Sequence, residues 1–328
     1  MTVTNTAAAG QMEPGQNLDR FHLDALIAES ATARIFRATD AHSGHTVAIR
    51  VPHVSLAADP SAVDCFHRAE QIGASIHHDN VMRVYPQHRR SRLYIVMEWC
   101  EGQPLSELLK TTASLPPQRA IRIAVAVLRA LEHLHGHSVV HRDLRPEHIM
   151  VDDSDRIKLI DFGVAVRPGG RSLTLSGFIR ILASPAYIAP EQVRGKRGDA
   201  RSDLYSLGII LFEMLAGHTP FSGRSPEATM NARLKRSIPP LRLPDFPLAA
   251  QLQETLCRAT EREPRHRYAS AREFALDLEN LSRVGVSERP ELARRSRGSV
   301  TSRVLLYSVI AVLLISPFLL IALLSRHR

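Results

Sequence analysis

The stretch VLLYSVIAVLLISPFLLIALL, Val304 to Leu324, admits few fates. It holds 21 residues without a charge, and as a helix it would reach about 31 Å, the hydrocarbon thickness of a bilayer. A run of this length with no polar face has nothing to turn toward water, so a membrane-spanning helix is predicted rather than a buried core helix. Pro317 would kink such a helix without forbidding it, because the freed carbonyl can be satisfied locally.

The charge distribution agrees with a membrane tail. The formal charge is +9, but residues 282–328 hold eight arginines against Glu288 and Glu291, which leaves only +3 for the rest. The basicity therefore does not indicate a nucleic-acid partner. Arg294, Arg295, Arg297 and Arg303 precede the apolar run and Arg326 and Arg328 follow it, a bias that places the large preceding region on the cytoplasmic side. The N-terminus, MTVTNTAAAGQMEPGQN, lacks the charged and apolar regions of a signal peptide. We therefore expect a single-pass protein of the inner cell membrane, anchored by its C-terminal tail. Cys65, Cys100 and Cys257 stand far apart with no CxxC pair, which argues against a disulfide framework or a thiolate zinc site.

Residues 1–17 are small and polar with Pro and Gly, and are expected to be disordered. From Leu18, FHLDALIA, ARIFRATD and HTVAIRVP read as strands broken by turn residues, followed by a helix around 62–76 and two further strands, VMRVYPQH and LYIVMEWC. After Gly102 the pattern turns helical, first in PPQRAIRIAVAVLRALEHLH and then around 202–216, 248–260 and 270–282. This is an α+β chain with a small β-rich lobe, about 18–100, ahead of a larger α-rich lobe, about 101–283. A basic linker, 284–303, the span, 304–324, and a short tail, 325–328, complete it.

HRD at 141–143, DFG at 161–163, APE at 189–191 and SDLYSLG at 202–208 follow one another across the second lobe. With this order and spacing the chain resembles the bacterial serine/threonine protein kinase family over residues 18–283. The resemblance implies a two-lobed fold with ATP and a divalent metal between the lobes. It also implies that Glu191 pairs with Arg267 and that Asp203 braces the HRD backbone. His135 falls where the family often has histidine, so the run His133, His135, His137 and His141 is expected to be structural.

Phosphoryl transfer needs a loop over the phosphates, a lysine held by a glutamate, two metal-binding side chains and a base. Aligned on IFRATD, the three loop glycines of the family fall on Ala28, Ser30 and Ala33, which lack glycine's freedom to approach phosphate. The lysine of VAIK is Arg50, a planar fork on a different stem. The glutamate position falls on Ala69, with Glu70 about 100° further around the helix; Glu70 either rotates in to meet Arg50 or leaves the clamp absent. Asp161 supplies metal-binding oxygen, but His148 stands where the family has asparagine. Magnesium should therefore bind weakly, and His148 either favours Mn²⁺ or another imidazole-tolerant ion, or merely fills space. Asp143 is retained as the candidate catalytic base, after Arg142.

The resemblance places the adenine pocket at Ile35, Ala48 and Met150, with Met97 as gatekeeper and the backbone of Glu98 and Cys100 as hinge. These residues could hold a nucleotide base or fill a core joining the lobes. Between DFG and APE, Ser172, Thr174 and Ser176 lie beside several arginines, and the resemblance makes them candidate phosphorylation sites answering to Arg142. Two functions follow: a nucleotide- or phosphorylation-responsive pseudokinase scaffold at the membrane, serving cytosolic signalling proteins, or an active but slow serine/threonine kinase.

Overall fold

The small lobe is built on β-branched strands whose alternation buries one face. The computed structural model describes residues 10–287 apart from 31, 58, 163–164 and 166–184. The linker from 288 onward, the apolar run 304–324, the short tail and the candidate sites Ser172, Thr174 and Ser176 lie outside the described residues. Among the described residues no helix is long and apolar enough to cross a membrane.

Strands β1 (Asn17–Leu18), β2 (Phe21–Glu29), β3 (Ala33–Asp40), β4 (Thr46–Pro52), β5 (Val84–Tyr85) and β6 (Ile95–Glu98) form one sheet in the order β1-β2-β3-β4-β6-β5, with antiparallel pairs throughout. β4 sits between β3 and β6 and is buried along almost its whole length, as TVAIRVP with its β-branched residues allows. Phe21, Leu23, Phe36, Ile49 and Tyr94 pack beneath the sheet.

Two helices, α1 (Val54–Ala57) and α2 (Pro60–Ser75), follow β4. Phe66, Ala69 and Ile72 recur at helical spacing on α2 and are buried. Gly73 belongs to that face because a Cβ there would lie 2.3 Å from Val84 Cγ2. The helix thus comes close to β5 only because this residue has no side chain.

Residues 10–17 correct one expectation. Arg34 donates to the Met12 carbonyl at 2.6 Å and to Glu13 Oε1 at 2.9 Å, and Arg92 donates to the Gly10 carbonyl at 3.0 Å. Half of the anticipated tail is therefore held against the sheet by arginines distant in sequence; residues 1–9 lie outside the described residues.

The chain enters the large lobe through Gly102, at φ +98°, where a Cβ would meet the Val151 carbonyl at 2.2 Å. There, β7 (Gln103–Pro104), β8 (Ile149–Val151) and β9 (Ile157–Leu159) form a small sheet. The helices are α3 (Leu105–Thr111), α4 (Pro117–Gly136), α5 (Pro190–Val193), α6 (Ala200–Ala216), α7 (Pro226–Lys235), α8 (Ala249–Ala259) and α9 (Ala271–Glu279). α6 is apolar on nearly every face and is buried from Ser202 to Phe212 without a break. Asp199 caps its start by accepting from the Arg201 amide, and Gly217, at φ +74°, closes its end. The large core runs from this helix up to Ile72 and Ile76, so the base of α2 rests on the second lobe.

Candidate active site

The HRD loop is fixed from behind. Asp203 on α6 accepts the Arg142 amide at 2.8 Å and the His141 amide at 3.0 Å, and His135 Nε2 lies 2.8 Å from its Oδ2. Burial pushes the Asp203 carboxyl upward, but His135 and the Arg142 amide outweigh it and hold the group below its ordinary range. This network maintains Arg142 at φ +67°, a conformation that costs a non-glycine residue energy. Glu191 and Arg267 form a buried fork, with Nη1 to Oε1 at 2.8 Å and Nη2 to Oε2 at 2.7 Å. The braces expected from sequence are in place.

In front of this frame the cleft is wired differently. Arg50 Nη1 donates to Asp161 Oδ1 at 3.0 Å, and its guanidinium lies 5.1 Å from the centre of the Phe66 ring. Glu70 does not rotate in. Arg90 takes it in a two-pronged pair, at 3.2 and 2.9 Å, and the same guanidinium donates to the Tyr94 carbonyl at 2.7 Å. Ala69 is buried where the family's glutamate would stand. Glu70 therefore serves the strand hairpin behind α2, and the charge of Arg50 is directed to Asp161.

The loop over the cleft is closed on itself. Ser30 Oγ accepts from the Thr32 amide at 3.3 Å and the Ala33 amide at 3.1 Å, and the Ser30 amide donates to the Ala33 carbonyl at 2.9 Å. His53 Nε2 lies 2.7 Å from the Ser30 carbonyl and ties the turn to the segment after β4. Backbone amides that a phosphate would need are thus occupied by a side-chain hydroxyl. Ala28 sits beside a bulge in β2.

At the metal position, His148 ends a short 3₁₀ turn, Pro146–His148, and is buried. Its Nδ1 lies 2.7 Å from the Asp143 carbonyl oxygen, and its Nε2 is 3.7 Å from Asp161 Oδ2. Burial drives the ring down to about 3, so it is neutral at physiological pH. Asp161 adopts φ +61°. Magnesium does not fit this arrangement: one Asp161 oxygen is engaged by a guanidinium, the other faces a nitrogen, and Mg²⁺ favours oxygen ligands at near-right angles. Asp143 is buried next to His148.

The adenine positions are brought together in part. Ala48 pairs with Met97 across β4 and β6, and both join a small apolar cluster with Cys100 at its edge. Ile35 and Met150 are half-buried. Burial, then the nearby Glu98 carboxylate, pushes the Cys100 thiol up to about 12, so it is not a nucleophile. The Glu98 side chain is bound by Lys158 at 2.8 Å, which links the hinge to β9.

Sequence reasoning missed Arg90 and Lys158, since each acts through a partner 20 or more residues away, and it read Ser30 only as a missing glycine, not as the hydroxyl that closes the turn. It also missed Arg233, buried in α7, which donates to the carbonyls of Ile188 and Pro185 just ahead of APE. Arg142 Nη2 donates to the Gly198 carbonyl at 3.3 Å, while its Nε and Nη1 are buried without a hydrogen bond among the described residues. Burial, reinforced by the charge of Arg197, lowers Arg142 to about 10. Arg68 on α2 adds to the same positive field.

A β-rich lobe over a helical lobe, with HRD and DFG meeting at the cleft between them, defines a protein kinase-like domain. The family model for the protein kinase domain matches residues 21–280. A probable serine/threonine-protein kinase of Streptomyces coelicolor is 32% identical over 272 residues, covering 81% of this chain and 40% of its own. Serine/threonine-protein kinase PknB of Mycobacterium tuberculosis is 32% identical, with 85% and 45% covered, and PknL of Mycobacterium bovis is 34% identical, with 84% and 69% covered. The chain belongs to the protein kinase domain family, in its bacterial serine/threonine branch. It spans less than half the length of the Streptomyces and Mycobacterium tuberculosis relatives.

Proposed function

We propose that this protein is a membrane-anchored pseudokinase: a kinase-like domain that holds nucleotide through its adenine pocket and presents a nucleotide- or phosphorylation-responsive surface to cytosolic signalling proteins. The observation that carries the reading is the exchange of partners in the cleft, Arg50 to Asp161 and Glu70 to Arg90. Together these remove the clamp that positions a triphosphate and cover part of the metal-binding carboxylate. The positive field around Arg142 supports the phosphorylation-responsive part, because an added phosphate on Ser172, Thr174 or Ser176 would supply the anion that buried guanidinium donors favour. The apolar run at 304–324 supports the anchor.

A slow serine/threonine kinase is the second reading, favoured by one observation: Asp143 is retained, and its loop is braced by Asp203 as phosphotransfer would require. Phosphotransfer by the full chain in detergent, with Mg²⁺ and then Mn²⁺, separates the two. The pseudokinase reading expects no labelling above that of Asp143→Asn. Robust labelling that disappears in Asp143→Asn establishes the enzyme instead. Under the favoured reading, Ala48→Phe impairs signalling in cells more than Asp143→Asn does.

A further inference from the structure

The chain ahead of β1 folds back on the small sheet through a turn that its sequence specifies. In EPGQ, Glu13 to Gln16, proline fixes the second residue and Gly15 takes φ +85°, the pattern of a type II turn. The Gln16 amide closes it by donating to the Glu13 carbonyl at 3.3 Å. The Gly15 amide donates to the Leu23 carbonyl at 2.7 Å and the Leu23 amide to the Gln16 carbonyl at 2.9 Å, so the turn is seated on β2. Met12 packs against the apolar cluster beneath the sheet, and Arg92 holds the Gly10 carbonyl. We infer that residues 10–16 are a brake on the cleft: seated, they keep the Ser30 turn closed, and displaced, they let it open to nucleotide phosphate. The inference rests on the reading that the cleft holds a nucleotide.

Arg34 carries the coupling. It stands on β3 opposite Glu29 of β2, the pair at the base of the Ser30 turn. Its Nη1 donates to the Met12 carbonyl at 2.6 Å and to Glu13 Oε1 at 2.9 Å, while its Nε lies 3.5 Å from Glu29 Oε2. One guanidinium thus fastens the segment with one end and the base of the turn with the other. Arg34 is buried, whereas Glu13 and Glu29 are exposed.

This asymmetry sets the direction of the effect. A buried guanidinium that loses the Met12 and Glu13 acceptors must turn toward water, because an uncompensated charge is costly inside the protein. In turning outward it withdraws from Glu29. The turn is then held by the Ser30 hydroxyl and by His53, through hydrogen bonds open to competition from solvent. Opening releases the Thr32 and Ala33 amides that the Ser30 hydroxyl occupies, and free backbone amides are what a phosphate oxygen needs.

The test compares the full chain in detergent with the same chain lacking residues 1–14 and with Glu13→Arg, which keeps the segment but sets a like charge against Arg34. Hydrogen exchange at the Ser30, Thr32 and Ala33 amides should quicken about tenfold in both variants, while the amides of α6 keep their protection and show the fold intact. If the deletion costs that protection, Glu13→Arg decides alone. Trp99, the only tryptophan, lies in the hinge and reports ligand by its fluorescence. Affinity for a non-hydrolysable ATP analogue relative to adenosine should rise about fivefold in the variants, because only the phosphates meet the turn. Unchanged exchange at the turn, or an unchanged ratio with both ligands still bound, overturns the brake and leaves the nucleotide reading standing. A Trp99 signal that ignores both ligands overturns the nucleotide reading, and the brake with it.

Discussion

Arg50 keeps the positive charge expected at its position, but its longer planar fork reaches Asp161 rather than a glutamate on α2. The glutamate that might have met it is held by Arg90, and both side chains of that pair are largely buried. Removing one partner leaves a charge without compensation, so Arg90→Ala should destabilise the domain by about 3 kcal/mol. Urea unfolding followed through Trp99 measures this; a loss below about 0.5 kcal/mol would reduce the pair to a surface contact. His148 gives a pH signature. Its folded value, about 3, lies below the ordinary 6.5, so between these values the unfolded chain binds the extra proton. The stability from keeping this ring neutral is present above pH 6.5 and is lost as pH falls toward 3. At pH 5 the deficit should be about 2 kcal/mol. Denaturant midpoints at pH 7.5 and pH 5 should accordingly diverge less in His148→Asn than in the native protein. The residue identities at 50, 69, 70 and 148 could all be read in the sequence. What each touches could not, because Arg50 and Asp161 are 111 positions apart and several partners were within equal reach.

At the scale of elements, hydrophobic periodicity placed the principal helices and strands well, since a buried helix or sheet face imposes its period on the residues that form it. The ends were set by local chemistry. Asp199→Ala removes the cap of α6 and should cost about 1 kcal/mol. Gly73→Ala should cost about 1–3 kcal/mol, because its Cβ would overlap Val84, 2.3 Å away, and push α2 off β5. Thermal melts of the two variants distinguish the effects: the cap acts on the large lobe alone, whereas a displaced α2 should also alter the Trp99 response to nucleotide. The Ser30 turn was legible only as missing glycines. Its closure by a hydroxyl and by His53 depends on a hairpin geometry that no short motif encodes.

For the whole molecule, the apolar run predicts that cell fractionation recovers the protein in membranes and that deleting residues 304–328 releases it. A protein already soluble with its tail intact would sink the anchor proposal. Arg294, Arg295, Arg297 and Arg303 should add a salt-sensitive preference for anionic lipid of about 1 kcal/mol per residue near the surface. Replacing all four with glutamine should abolish that preference in vesicle binding while leaving insertion unchanged. The large domain would then be held near the bilayer with its cleft set by the residues between 28 and 161.

The sequence by itself determined the family, the two-lobed order of elements and the loss of the usual phosphate-handling residues, because these reside in residue type, spacing and periodicity along the chain. Only the tertiary structure decided that Glu70 belongs to Arg90, that Arg50 belongs to Asp161, and that His148 lies buried between Asp143 and Asp161. Charges choose partners by distance and burial, and both arise only when strands and helices remote in sequence are packed together.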